Sequence, residues 1–215
     1  MYISRLHINP ANRETMKAMA EPKCFHGTIE RAFSGDRQRN LWRLDQIGNG
    51  FYLLIISQNE PDLTAAWKMF GFPNQSPRWE SRPYEPLLER ALTGSKWHFR
   101  LKANPVYHAA PDGPKKRGKV LPHTTYEMQE RWLLDKAPSY GFRVSPGEYL
   151  AVNNQRYRFK KRDEKKSVTL LSVTYEGQLT ITDESLFRNT LTKGMGRGKA
   201  YGMGLLTIAG QERSV

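Results

Sequence analysis

The chain has 215 residues, room for one large domain or two small ones at roughly 100–200 residues each, and its 34 Lys and Arg against 21 Asp and Glu leave a net charge of +13. Hydrophobic residues at 38% and aromatics at 11% supply a folded core, so the excess charge lies on a globular surface and favours polyanions: nucleic acid, anionic membrane or phosphate-rich ligands. A single cysteine, Cys24, excludes an internal disulfide and a cysteine-built zinc site, and the longest apolar run, Phe51 to Ile56, is about a third of the ~20 residues that cross a bilayer. The first residues alternate like a strand and lack the apolar stretch of a secretion signal. The expected location is a reducing compartment, most simply a bacterial-type cytoplasm, with no membrane partner.

Residues 2–8 read as a strand with Leu6 and Ile8 on one face and Arg5 and His7 on the other. Asn9-Pro10 offers an N-cap and a first-turn proline for a helix over 10–20. After Pro22 a second helix carries Phe25, Ile29, Ala32 and Phe33 on one stripe. Strands at 41–44 and 50–56 flank Gly48-Asn49-Gly50, a hairpin signal. Five prolines break residues 60–95 into short pieces, with helices at 62–69 and 85–92, and 96–103 alternates as a strand. Strand, helix, strand, strand, helix, strand is the ferredoxin-like order. Residues 106–122 hold Pro111-Asp112-Gly113-Pro114 and the basic run Lys115 to Lys119, and read as a link. Beyond it come a helix at 124–136 with Met128, Trp132 and Leu133 inward, strands within 141–182, a helix from Asp183 to Lys193 and a last strand at 202–209. The expectation is an α+β protein of two tandem ferredoxin-like (RRM-like, βαββαβ) domains, over 1–105 and 123–215, with an added basic β-hairpin.

That hairpin, residues 156–166, holds seven cations and two anions. As a strand it sends Arg156, Arg158, Lys160 and Arg162 to one side and Tyr157 and Phe159 to the other, cations ~6.6–7 Å apart, close to a phosphate repeat. An edge strand shielded by charge would look similar, but seven cations exceed that need. Residues 194–204 contain five glycines with Arg197 and Lys199. They are not a P-loop, since Ala200 follows Lys199 where Ser or Thr is required. They allow close backbone approach to an anion, with Gly196, Arg197 and Lys199 as contacts. Among the five histidines, His7 and His98 lie in strands and His108 and His123 flank the link. His26 is offset from the buried stripe and shares a helical face with Lys23 and Glu30. No H-x-x-x-H, Asp-x-Asp or carboxylate cluster points to a metal. RNA cleavage without a metal remains open to such a chain, because the 2′-hydroxyl can attack the adjacent phosphate if a base, an acid and cations are supplied.

The chain resembles the CRISPR repeat-processing endoribonucleases of type I-E systems, the CasE family of the repeat-associated (RAMP) superfamily. The likeness is carried by Met1-Tyr2-Ile3-Ser4-Arg5-Leu6, His26, Leu41-Trp42-Arg43-Leu44, Phe99-Arg100-Leu101-Lys102-Ala103-Asn104-Pro105, Tyr175-Glu176-Gly177-Gln178-Leu179 and Gly198 through Leu206, in the right order. It implies metal-independent, cofactor-free cleavage of precursor CRISPR RNA at the base of a repeat hairpin, leaving a 2′,3′-cyclic phosphate and a 5′-hydroxyl. It also implies retention of the product and assembly with other subunits of the Cascade complex. His26 falls at the family's catalytic histidine. Some relatives carry a tyrosine at Lys23, where a lysine instead brings a cation able to stabilise phosphorane charge and to lower the pKa of a nearby histidine. Arg31 and Ser34 match positions near the cleaved phosphate, and Lys160 and Lys161 match the element that grips the stem. A non-catalytic hairpin-RNA scaffold would use the same charge and loop, and metal-free cleavage of a cognate hairpin separates the two readings.

Overall fold

The computed structural model describes residues 1–34, 38–111, 118–160 and 167–210, with the backbone alone for Lys160, Ser167 and Val168. The opening alternation forms β1 (Tyr2–Ile8). Helix α1 (Arg13–Ala20) starts later than the sequence suggests: Asn12 is its cap, accepting from the Glu14 N–H at 2.9 Å, while Asn9 accepts from the Ala11 N–H at 3.0 Å. Helix α2 (Lys23–Glu30) follows Pro22, and β2 (Leu41–Ile47) and β3 (Gly50–Ser57) make the expected hairpin, Ile47 opposite Gly50. Then come α3 (Thr64–Phe70), β4 (Glu80–Pro83) and α4 (Glu85–Arg90). The sheet order is β2-β3-β1-β4, all antiparallel, which is the ferredoxin-like arrangement. Leu6, Ile8, Leu53 and Ile55 project from it onto Ala18, Phe25, Ile29 and Phe70.

One strand changes units. Residues 96–103 form β5 (Lys96–Ala103), but β5 pairs in the second sheet; the sixth element of the first unit is β4. The second unit therefore opens upstream of residue 105, and the expected division at 105 and 123 is corrected. Strand β4 escapes sequence reading because it is three polar residues and a proline at an edge, where a sheet tolerates proline. The second unit continues through α5 (Tyr126–Lys136), β8 (Phe142–Arg143), β9 (Tyr149–Lys160), β10 (Ser167–Ile181), α6 (Glu184–Lys193) and β11 (Leu206–Ala209), ordered β11-β5-β10-β8 with β9 also on β10. The expected link is instead partly a hairpin within this unit, β6 (Val106–His108) against β7 (Val120–Pro122); Lys115, Lys116 and Arg117 lie outside the described residues. On α5 the inward residues are Gln129, Trp132 and Leu133, and Met128 is 51% exposed. Gln129 takes the buried place with its side-chain Nε2 donating to the His123 carbonyl at 3.0 Å, while its backbone carbonyl accepts the Tyr175 hydroxyl at 2.9 Å and its Oε1 is buried without a partner among the described residues.

The two units meet through Arg43 of β2, 1% exposed. Its Nε and Nη2 fork onto Asp45 at 2.7 Å each, Nη1 donates to the carbonyls of Arg100 at 2.7 Å and Leu205 at 2.9 Å, and Nη2 reaches Thr207 Oγ1 at 2.7 Å. Leu41 and Ile56 extend the second unit's core from the same face, and Arg188 of α6 donates to the Leu88 carbonyl at 2.8 Å. No described helix is long and apolar enough to cross a membrane.

Candidate functional site

Phe25 and Ile29 bury one side of α2, so His26, a step of about 100° from Phe25 at 3.6 residues per turn, emerges beside the core and stays partly exposed. Glu30, one turn on, brings Oε1 to 3.8 Å from His26 Nδ1. Lys23, three residues back, pairs with Glu21 at 3.0 Å and holds its ammonium 5.9 Å from the centre of the Phe159 ring. His26 opens onto a cleft of about 680 Å³ whose walls are Glu30, Gln38, Arg39, Asn40 and residues 196–200 of the glycine loop. Two stretches some 170 residues apart in sequence thus share one cavity, within the ~300–1,000 Å³ of ligand sites.

The loop is shaped by what lies under it. Gly202 has φ +76°, and a Cβ there would fall 2.7 Å from the Trp42 ring. Its backbone donors are largely committed: Gly196 N–H to the Tyr140 hydroxyl at 3.1 Å, Met195 N–H to the Gly204 carbonyl at 2.9 Å and Gly204 N–H to the Lys102 carbonyl at 2.6 Å. Gly196 therefore shapes the wall with its N–H engaged by Tyr140, and the loop presents cationic side chains to the cleft. Lys199 is half-buried, and burial first and the Arg39 guanidinium second lower its pKa from the ordinary lysine value. Arg197 is exposed and donates from Nη2 to His108 Nε2 at 3.3 Å, since a guanidinium can only donate. An anion entering the cleft would relieve the crowding of Arg39 against Lys199.

The basic hairpin packs on the same loop. Tyr157 and Phe159 point inward onto Met203, with Phe159 5.0 Å from the Tyr201 ring. The Tyr157 hydroxyl accepts from Lys102 Nζ at 3.3 Å and donates to Gln155 at 2.6 Å. Arg156 and Arg158 face solvent on the opposite side, as the alternation predicts. The Lys160 backbone pairs with Ser167; Lys161 and Arg162 lie outside the described residues. Arg31 caps α2 and donates to Thr28 Oγ1 at 3.3 Å; it and Ser34 are exposed beyond the helix end, outside the residues that line the cleft.

Sequence reading missed Gln38, Arg39 and Asn40 as wall residues. Their signal was a short polar, cationic run just ahead of β2, which only the sheet order carries to the cleft. A smaller opening of about 370 Å³ lies over the Arg43 network. Its cations and acids satisfy one another, Arg100 with Glu176 at 2.8 Å, so it offers a polyanion little. Among the described residues no group of three or more His, Cys, Asp or Glu is placed to hold a metal.

Comparison with known proteins shows the family and the fold. The profile of the CRISPR associated protein family matches residues 1–210. The CRISPR-associated endoribonuclease Cse3 of Thermus thermophilus is 30% identical over 226 residues, spanning 97% of this chain and all of that protein. The structure of Thermus thermophilus Cse3 bound to an RNA representing a pre-cleavage complex superposes with a TM-score of 0.77 at 29% identity, over 97% of this chain and 98% of that one. Cas6e of Escherichia coli K-12 has the same fold, with a TM-score of 0.68 at 21% identity over 98% of this chain and all of that one.

Proposed function

The chain belongs to the CRISPR-associated protein family, and on that premise we propose that it is an endoribonuclease that cuts precursor CRISPR RNA at the base of the repeat stem-loop and keeps the hairpin product. The observation that carries this reading is the placing of His26 in one cleft with Arg39, Arg197 and Lys199. In the proposed reaction the 2′-oxygen bonds to the adjacent phosphorus and the P–O5′ bond breaks. His26 transfers protons at one of these oxygens, and the products are a 2′,3′-cyclic phosphate and a 5′-hydroxyl. No metal is needed when the nucleophile belongs to the substrate. The loop cations neutralise the charge that grows on the phosphorane; Lys23, paired with Glu21 and 5.9 Å from the Phe159 ring centre, lies outside the residues that line the cleft and joins in only by exchanging Glu21 for the phosphate.

The stem lies along the hairpin with its phosphates on Arg156 and Arg158, and the sequence offers Lys160 and Lys161 for the same role. An A-form major groove is too deep and narrow for most side chains to read, so shape, backbone and the bases at the stem foot carry recognition. Arg31 and Ser34 meet the strand at the rim. The retained hairpin then joins this chain to the other subunits of a Cascade assembly in the cytoplasm.

The test is a denaturing-gel assay on cognate hairpin RNA in EDTA, beside the same RNA with one 2′-deoxy substitution before the scissile phosphate. Cleavage of the first and survival of the second is the expected result. Tight binding with no cleavage would overturn the enzyme reading in favour of a scaffold.

A further inference from the structure

A second opening adjoins the His26 cleft. It measures about 570 Å³ and is lined by Met1, Gln38, Arg39, Gln58, Thr192 and Lys193. Gln38 and Arg39 also line the His26 cleft, so the two openings share that wall. The described lining offers two cationic side chains, two amides and a hydroxyl, with no carboxylate, and the Met1 ammonium is paired with Glu85. The C-terminal carbonyls of α6 are by themselves an unfavourable pole for an anion, and Lys193, exposed in the last turn, offsets that pole. A chain of phosphates leaving the first cleft over Arg39 would therefore meet a second cation in a cavity of comparable size.

We propose that this opening is the binding site for the single-stranded nucleotides 3′ of the cleaved phosphate. Arg39 and Lys193 take successive phosphates, and Gln58 and Thr192 hydrogen-bond sugar or base. The proposal rests on the reading that the His26 cleft holds the scissile phosphate. It adds a consequence: the 3′ segment is absent from the retained product, so the second opening strengthens binding of the precursor only. The hairpin stays on Arg156 and Arg158 while the 3′ fragment leaves.

The test is binding by fluorescence anisotropy across a salt series with two hairpin RNAs, the cleavable one blocked by 2′-deoxy substitution at the nucleophile. One ends at the scissile phosphate and the other carries several further 3′ nucleotides. Each single-strand phosphate contact adds about 0.7 to the steepness of log K against log salt, so in the wild type the extended RNA should be steeper by about 1.4. Lys193→Gln should remove about half of that difference and leave the short RNA unchanged. Gln58→Glu, in the same lining, should weaken the extended RNA alone. Equal slopes for the two RNAs in the wild type, or equal losses for both in Lys193→Gln, would overturn the proposal by itself. If neither RNA bound the wild type, it would fall together with the reading beneath it.

Discussion

Replacing Arg43 by Met tests how the cleft is held together. The guanidinium makes five hydrogen bonds across two sheets, and Asp45, 6% exposed, depends on its fork. Without it the nearest described cation is Arg100, with Nη1 at 3.8 Å from Oδ2, beyond hydrogen-bonding distance. Removing one partner of a buried pair costs about 3–5 kcal/mol, because the other charge is left without compensation. Against a total stability of ~5–15 kcal/mol, that leaves a marginal protein. Replacing both residues, Arg43→Met with Asp45→Leu, removes the stranded charge and should recover about half of the loss. Urea unfolding of the wild type, Arg43→Met, Asp45→Leu and the double variant closes the cycle, provided their m values agree. The single variant should also cleave more slowly under conditions where it remains folded, because the Leu205 carbonyl that Arg43 holds lies one residue beyond the glycine loop. A single variant within ~1 kcal/mol of wild type, or a double variant no better than the single, would refute this account of the junction.

Three further outcomes are expected. His26→Ala should lower the single-turnover cleavage rate by about 10²–10⁴-fold with hairpin affinity kept; a wild-type rate would remove His26 from the chemistry. Arg156→Ala with Arg158→Ala should flatten the salt dependence of hairpin binding by about 0.7–0.9 per lost phosphate contact without moving the cut, and an unchanged slope would place the stem elsewhere. Lys102, beneath the hairpin, has its pKa lowered to about 8, first by burial, with Asp45 opposing and Arg43 reinforcing the shift. The folded state therefore binds fewer protons than the unfolded chain above that pH, and stability from this group rises with pH. Relative to Lys102→Met, the wild type should gain stability between pH 7 and 9, measured as urea midpoints, and a flat or falling difference would contradict the burial.

The strands at 41–44, 50–56 and 96–103 and the buried stripe of α2 were legible because alternation and helical spacing are local properties. Which sheet β5 joins was not, because Trp97, Phe99 and Leu101 would bury equally well against either set of helices. Met128 and Gln129 compete for the inside of α5, and hydrophobicity alone chooses the wrong one; the His123 carbonyl, which accepts from the Gln129 side-chain Nε2, favours glutamine from outside the helix. At the site, the offset of His26 from its stripe and the cationic glycine loop stood out separately. That they face each other follows from the sheet orders, and Arg39 became visible only with them.

The Gly204–Lys102 hydrogen bond and the Arg43–Leu205 contact tie the loop to strands made much earlier in the chain. During synthesis His26 emerges first, followed by the strands that await the loop, and the loop emerges almost last. Until then one wall of the cleft does not exist. A ribosome-bound chain stopped after Arg158 but before residue 196 would carry the histidine and the hairpin arginines yet have no closed cavity in which to hold a phosphate. On the proposed reading, cleavage competence is therefore acquired in a single late step, when residues 196–200 complete the wall opposite His26.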